Sequence, residues 1–158
     1  MSAQIPGFGS TMPCFASETS NANPAACRDR TKKMRALVID DSAAVRKILS
    51  RMLTDLGWDV SEASDGSAAL AQLESKGPVD LALVDWHMAP MNGYDFVCAV
   101  REQSLWSATR MVMVTTETDV ACILAALTAG ADEYVMKPFT RDMLVDKLAL
   151  LGLAEATR

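Results

Sequence analysis

Between residues 35 and 151, a short apolar segment is followed by a longer segment of helical periodicity five times in succession. The apolar segments are residues 36–39, 58–62, 79–84, 111–114 and 134–136. The helical segments are residues 43–56, 67–75, 94–103, 120–129 and 141–151. Short apolar strands that alternate with helices predict a parallel sheet covered by helices on both faces. The alternation therefore predicts an α/β fold.

The chain divides into three parts by composition. Residues 1–33 are rich in Ser, Ala, Asn, Pro and Thr and are predicted to be a disordered N-terminal extension. They lack a basic start followed by an apolar run, which excludes an ordinary secretory signal. Residues 34–153 are predicted to be one compact domain, and residues 154–158 a short C-terminal tail. No stretch is long and apolar enough for a membrane span, so we expect no membrane association.

Charge and cysteine usage exclude several classes of function. The chain has a net charge of −5, and because residues 1–33 carry four basic and two acidic side chains, residues 34–158 carry −7. Such acidity argues against nucleic-acid binding. Four cysteines without a C-x-x-C pair, and a single histidine, argue against a zinc site and a disulfide framework, so a cytoplasmic location is expected. Cys98 and Cys122 are predicted to be small buried hydrophobic residues.

The fourth helix is predicted to begin after Thr118 or Asp119 and to end at Gly130. Four apolar residues at helical spacing are expected to share one face of this helix. They are Val120, Ile123, Leu124 and Leu127.

Polar residues of particular types follow four of the predicted strands. Asp40 and Asp41 follow the first strand, Asp85 the third, Thr115 the fourth and Lys137 the fifth. Parallel sheets bind ligands at the carboxyl ends of their strands. Three acids there would repel one another unless a cation lies between them, and carboxylate oxygens suit Mg²⁺. A carboxylate flanked by a metal, a hydroxyl and an ammonium can act as a nucleophile toward phosphorus, so the residues predict an aspartyl-phosphate site.

The order DD, D-x-x-M, T and KP over five β/α units resembles the response-regulator receiver domain of two-component signalling. It is most similar to the stand-alone, CheY-like type of chemotaxis. The resemblance covers residues 35 to about 151. It implies a flavodoxin-like, doubly wound (βα)5 three-layer sandwich with strand order 2-1-3-4-5.

The resemblance also assigns roles to individual residues. It implies that Asp85 is the phosphoacceptor. It implies that Asp40 and Asp41 hold Mg²⁺ (or Mn²⁺) together with Asp85 and the backbone carbonyl of His87. Thr115 matches the switch hydroxyl.

Three further features follow from the same resemblance. Lys137 matches the lysine that contacts the phosphoryl group, and its peptide bond to Pro138 is expected to be cis. Tyr134 matches the aromatic residue that moves inward when the switch hydroxyl moves.

The loop after Asp85 departs from the family pattern. Pro90 stands one place later than usual, so we expect the path of the loop to differ. His87 occupies a position where many relatives have Asn. In the family, this position and that of Glu117 tune the lifetime of the phosphoryl group, and we expect a bulky His87 beside Glu117 to alter access of the attacking water.

The predicted partners also follow from the resemblance. A sensor histidine kinase or a histidine phosphotransfer protein would supply the phosphoryl group. An output protein, such as a flagellar motor switch or a downstream kinase, would bind the face formed by the fourth helix, fifth strand and fifth helix. The chain ends seven residues after Leu151, so a single-domain receiver is expected, as a monomer or a weak phosphorylation-dependent dimer.

Two other classes share parts of the pattern. A flavin- or nucleotide-binding protein of this topology would need a Gly- or Ser/Thr-rich phosphate loop after the first strand, where Asp40 and Asp41 stand instead. A metal-dependent phosphohydrolase that works through an aspartyl-phosphate would carry D-x-D at the first strand, and the segment Asp40-Asp41-Ser42 has a different spacing.

Overall fold

The computed structural model describes residues 33–154, which form five strands and five α-helices in alternation. The strands are β1 (Arg35–Ile39), β2 (Asp59–Ala63), β3 (Leu81–Val84), β4 (Arg110–Thr115) and β5 (Glu133–Met136). The helices are α1 (Ala43–Asp55), α2 (Gly66–Lys76), α3 (Gly93–Glu102), α4 (Val120–Ala129) and α5 (Arg141–Leu150). Within residues 33–154, no helix is long and apolar enough to cross a membrane.

The five strands form one parallel sheet in the order β2-β1-β3-β4-β5, which confirms the predicted topology. In the middle of the sheet, Ala36 of β1 pairs with Val60 of β2 and with Leu81 of β3. The order makes β1 and β3 neighbours, and their carboxyl ends therefore open side by side at one edge of the sheet.

Residues of the strands alternate between two hydrophobic cores, one on each face of the sheet. Helices α2, α3 and α4 cover one face, with Leu73, Phe96 and Ala126 among the buried residues. Helices α1 and α5 cover the other face, with Leu53 and Leu148 buried. The three layers of the predicted sandwich are thus confirmed, and the continuous apolar character of β3 reflects burial on both faces.

The predicted face of α4 is correct for Ile123 and Leu127, which line one internal cavity with Ala126, and wrong for Val120 and Leu124. The helix begins after Asp119, whose side chain accepts a hydrogen bond from Ala121 N, but Val120 is 66% exposed and Leu124 is 56% exposed. Ala126 is the buried residue instead, at 2% exposure. The segment VACILAALTA is apolar at every position except Thr128, so its periodicity does not indicate which side faces the core.

Smaller differences concern element ends and one loop. Strand β3 begins at Leu81 rather than at residue 79, because Asp80 accepts a hydrogen bond from Arg35 N before the regular pairing starts. The segment between α3 and β4 contains a 3-10 helix, Ser104–Trp106, with Trp106 buried. Cys98 and Cys122 are only partly buried, which corrects the prediction of full burial.

The predicted N-terminal extension, apart from Lys33, and the C-terminal tail, apart from Ala154, lie outside the described residues.

Candidate functional site

Three aspartates meet at the carboxyl ends of β1 and β3. One carboxylate oxygen from each of Asp40, Asp41 and Asp85 lies within 4.8 Å of the others. Asp40 and Asp85 are buried and Asp41 is exposed. The two strands hold the first and third acids together, since Asp85 N donates to the carbonyl oxygen of Ile39 at 2.9 Å. The predicted convergence of these three residues is therefore present.

Lys137 reaches this cluster from the end of β5. Its Nζ lies 2.6 Å from Asp40 Oδ2 and 3.2 Å from Asp85 Oδ1. Its backbone N donates to the carbonyl oxygen of Thr115 at 2.8 Å, and its peptide bond to Pro138 is cis, as predicted. One ammonium therefore faces three carboxylates, and it can balance the charge of only one of them.

Burial and neighbouring charges shift two pKa values at the site. Burial raises the pKa of Asp85, and the charge of Asp40 adds to this effect, while the charge and hydrogen bond of Lys137 oppose it. For Lys137, burial lowers the pKa, but the hydrogen bond to Asp40 and the charge of Asp85 outweigh burial and leave the pKa raised. The protonated form of Lys137 is therefore stabilised, and it lies beside Asp85, whose ionised form is destabilised by burial.

The donor set fits a hard divalent cation. Asp40 already accepts hydrogen bonds through both oxygens, from Ser42 N at 2.8 Å and from Lys137 Nζ. Within residues 33–154, the Asp41 carboxylate has no hydrogen-bond donor and projects into solvent beside the two buried acids. Oxygen-only ligands with an open, solvated side are typical of Mg²⁺ sites, where waters complete the coordination.

Thr115 lies at the end of β4 on the same edge. Its side chain is buried, and its Oγ1 accepts a hydrogen bond from Glu117 N at 3.0 Å. The Glu117 carboxylate in turn accepts from the backbone nitrogens of Thr118 and Asp119, each at 2.9 Å. The hydroxyl therefore takes part in the arrangement of the turn that leads into α4.

His87 and Glu117 face each other across the mouth of the site. His87 Nε2 lies 3.5 Å from Glu117 Oε2, with the histidine side chain 60% exposed and the glutamate 21% exposed. This contact joins the β3–α3 loop to the β4–α4 loop. The predicted proximity of the two residues is confirmed, while their effect on phosphoryl lifetime and the metal-binding role of the His87 carbonyl stay predictions.

The loop after Asp85 carries the shifted Pro90, and the expected difference of its path from that of relatives stays a prediction. The peptide bond between Ala89 and Pro90 is cis. The loop closes through Gly93 N, which donates to the carbonyl oxygen of Trp86 at 3.1 Å. A Cβ at Gly93 would collide with the carbonyl oxygen of Asp85, so only glycine permits this approach of α3 to the acidic site.

Tyr134 lies on β5, three residues before Lys137. It is partly buried and lines a narrow cavity together with Thr115 and Trp86. Lys147 Nζ lies 5.3 Å from the centre of its ring. The tyrosine and the buried threonine thus share a cavity, as an inward movement of the ring would require.

One residue at the site was not singled out in the sequence. Arg46 of α1 donates through Nη1 to the carbonyl oxygens of Asp40 at 2.6 Å and Asp41 at 3.2 Å. Its Nε lies 3.6 Å from Glu62 Oε2. Its spacing of five residues from Asp41, one turn into a helix, was the available signal. An arginine there is equally compatible with a solvated helix face, so the sequence could not decide its role.

The arrangement has the chemical parts of a nucleophilic carboxylate site. Asp85 is buried at a strand end, an ammonium lies at hydrogen-bonding distance, and a cation-binding group of acids is adjacent. Such a site can stabilise negative charge that develops on a group attached to Asp85.

The comparisons with known proteins agree with this geometry. Residues 36–149 match the family model described as the response regulator receiver domain. The chain is 39% identical over 119 residues to chemotaxis protein CheY1 of Helicobacter pylori, covering 75% of this chain and 96% of that protein. It is 39% identical over 116 residues to chemotaxis protein CheY of Pseudomonas aeruginosa, covering 73% and 93%.

Solved structures give the same result. The structure of chemotaxis protein CheY4 of Vibrio cholerae superposes with a TM-score of 0.71 at 35% identity, covering 75% of this chain and 98% of that one. The CheY-like receiver domain protein of Methanospirillum hungatei gives a TM-score of 0.70 at 28% identity, covering 76% and 94%. The chain therefore belongs to the response regulator receiver family, as a CheY-type receiver of two-component signalling.

Proposed function

We propose that this receiver accepts a phosphoryl group on Asp85 in the presence of Mg²⁺ or Mn²⁺, from the phosphohistidine of a sensor histidine kinase or a histidine phosphotransfer protein. The observation that carries the proposal is the position of Lys137 Nζ, within 3.2 Å of both Asp40 and Asp85 at the edge of a three-carboxylate cluster. A fixed ammonium beside a buried nucleophile, with a cation-binding group adjacent, is what phosphoryl transfer to a carboxylate requires.

In the proposed transfer, a carboxylate oxygen of Asp85 forms a bond to phosphorus. The P–N bond of the phosphohistidine breaks, and its electron pair leaves with the imidazole nitrogen. Lys137, which now contacts Asp85 Oδ1, would donate to a phosphoryl oxygen. Asp40, Asp41 and Asp85 would hold Mg²⁺, whose positive charge would offset the negative charge on the phosphoryl oxygens. The same residues would allow self-catalysed transfer from small phosphate donors and later hydrolysis.

Thr115 gives the route by which phosphorylation would change the shape of the protein. Its Oγ1 accepts a hydrogen bond from Glu117 N in this structure. If the hydroxyl turns to donate to a phosphoryl oxygen on Asp85, Glu117 N needs another acceptor, and the turn before α4 must rearrange. Tyr134 lines the same cavity and would move inward as the threonine leaves it. Phosphorylation would then shift an equilibrium between two conformers.

The face formed by α4, β5 and α5 is suited to report this change. Its three elements expose large apolar side chains, which are Val120, Leu124, Met136, Met143 and Leu150. We propose that an output protein, such as a flagellar motor switch or a downstream kinase, covers this face after phosphorylation. The receiver would act in the cytoplasm as a monomer or a weak phosphorylation-dependent dimer, without nucleic-acid or membrane binding.

The test is incubation with Mg²⁺ and acetyl phosphate, followed by intact mass, with beryllofluoride and tryptophan fluorescence as a second readout. The parent is expected to gain one phosphoryl group, and Asp85→Asn none. Asp59→Asn provides a matched control, since Asp59 is exposed at the start of β2, at the opposite end of its strand from the site. A parent that gains no mass, or an Asp85→Asn variant that gains as much as the parent, would overturn the proposal.

The two alternative classes have their own readouts in the same preparation. A flavin-binding protein would show the absorption of bound flavin, and a phosphohydrolase would turn over a phosphate monoester many times. Neither signal is expected.

A further inference from the structure

We propose that Arg46 is a positioning residue for the metal site: its guanidinium, tethered by Glu62, holds the backbone of Asp40 and Asp41 so that the Asp41 carboxylate stays free for the cation. This inference rests on the proposed function, since it concerns the site at which Mg²⁺ would bind. It assigns a role to two side chains that lie outside the group of acids.

The contacts of Arg46 are with the backbone of the acidic pair. Nη1 donates to Asp40 O at 2.6 Å and to Asp41 O at 3.2 Å. Two consecutive carbonyl groups bound by one nitrogen cannot rotate independently, so the peptide plane between these residues is fixed. The direction in which the Asp41 side chain leaves the backbone is fixed with it.

The other side of the guanidinium is held by β2. Arg46 Nε lies 3.6 Å from Glu62 Oε2, and the arginine side chain is 18% exposed. The Glu62 side chain is 35% exposed, and the Glu62 backbone is held by a hydrogen bond from Gln72 Nε2 of α2 to its carbonyl oxygen at 2.7 Å. The arginine therefore joins the acidic loop to the neighbouring strand end rather than extending into solvent.

This arrangement resolves an electrostatic conflict. A positive side chain so close to three carboxylates would ordinarily pair with one of them and compete with a cation. Here Glu62 and the two carbonyl groups occupy the guanidinium, and Asp41 has no donor within residues 33–154. The positive charge thus orients the loop without occupying the oxygens that a metal needs, as partners outside the ligand shell commonly do.

The two possible effects of Arg46 on Mg²⁺ binding have opposite signs. If the residue acts only as a nearby positive charge, its removal weakens repulsion and the metal binds more tightly. If it positions the loop, its removal lets Asp41 turn away and the metal binds more weakly. The sign of the change in dissociation constant therefore separates positioning from simple electrostatics.

The experiment is a Mg²⁺ titration of the full chain, followed by tryptophan fluorescence and by calorimetry, in the parent and in Arg46→Gln. We expect the dissociation constant to rise by about 10-fold, the lower end of the range for residues that orient metal ligands. Arg51→Gln is the matched control, because Arg51 is exposed on the same helix, and no change is expected there. An unchanged or lower dissociation constant in Arg46→Gln would overturn the inference.

Arg46→Lys keeps the test decisive if Arg46→Gln folds poorly. This variant keeps the positive charge but removes the planar guanidinium that reaches two carbonyl groups and Glu62 together. Simple electrostatics therefore predicts an unchanged dissociation constant for Mg²⁺, whereas loss of positioning should raise it by up to about 10-fold. Urea unfolding without Mg²⁺ should leave Arg46→Lys within about 0.5 kcal/mol of the parent, so that weaker Mg²⁺ binding does not reflect a loss of folding. Equal or tighter Mg²⁺ binding in Arg46→Lys would contradict the positioning role. A parent that binds no Mg²⁺ at all would instead refute the proposed function itself.

Discussion

Carboxylates at the amino-terminal and carboxyl-terminal edges of the sheet differ in how many positive partners they have. At the amino-terminal edge of β4 and β5, the Asp132 carboxylate accepts three hydrogen bonds. They come from Arg101 Nη2 at 2.9 Å, Arg110 Nη1 at 2.8 Å and Met111 N at 2.8 Å. At the carboxyl-terminal edge, three carboxylates cluster, and Lys137 is the ammonium that contacts two of them, those of Asp40 and Asp85. One edge has more donors than its acid needs, and the other has more acids than its lysine can neutralise.

The difference separates a structural network from a binding site. The Asp132 network also fixes the ends of α3 and α4, because Arg101 donates to the carbonyl oxygens of Gly130 and Thr109. Its carboxylate is fully paired within the chain, so this acid needs no cation from solution. The acids at the other edge remain undercompensated, and a cation supplied from solution would complete them.

The largest effect is expected where the compensated network is broken. Asp132→Ala removes the shared acceptor and leaves two arginines and the Met111 N–H without it, so the free energy of unfolding should fall by about 3 kcal/mol. Urea denaturation measures the loss. Asp146→Ala, at an exposed acid on α5, should stay within about 0.5 kcal/mol of the parent. If the two variants were equally stable, the Asp132 network would not be structural.

A smaller loss is expected from Lys137→Met at the opposite edge. The substitution leaves Asp40 and Asp85 without the ammonium that contacts both, and the metal-free protein should lose about 2 kcal/mol at neutral pH. Added Mg²⁺ should recover part of the loss, since a cation can replace the missing charge. Mg²⁺ should stabilise Asp132→Ala only as much as it stabilises the parent, so the deficit of this variant should stay the same. An equal narrowing of both deficits would contradict the comparison.

Asp85→Asn should have the opposite sign in the metal-free protein. Because burial raises the pKa of Asp85, its ionised form costs stability at neutral pH, and the amide should raise the melting temperature by a few degrees. The native state binds the Asp85 proton more readily than the unfolded chain. As the pH falls through the raised native pKa of Asp85, the free energy of unfolding of the parent should therefore rise relative to that of the variant. The gap in stability between the two proteins should narrow. Thermal melts from neutral to acidic pH test this, and a gap that widens in acid would refute it.

The smallest effect concerns the contact across the mouth of the site. His87→Asn removes the group that lies 3.5 Å from Glu117 Oε2 and should open the path of the attacking water. We expect acyl-phosphate decay to be about 3-fold faster, equivalent to about 0.6 kcal/mol in the barrier. Glu117→Gln, which keeps the size of the side chain, should change the rate in the same direction. Equal decay rates in His87→Asn and the parent would exclude the idea.

Much of the fold was predictable because β3 and β1 are short, apolar and separated by segments of helical period. Alternation of that kind has few solutions other than a parallel sheet covered on both faces. Helix α4 was the exception. Its almost uniformly apolar sequence leaves its orientation to packing, and the structure buries Ala126 and exposes Val120 and Leu124.

The sequence alone determined which residues would share an edge, since Asp40, Asp85, Thr115 and Lys137 each follow a strand and parallel strands end on the same side. Only the tertiary structure decided which contacts they make. It places Lys137 between Asp40 and Asp85, brings Arg46 onto the carbonyl groups of the acidic pair, and leaves Asp41 open. Those choices depend on side-chain conformations and on contacts up to 97 residues apart along the chain, which no local pattern encodes.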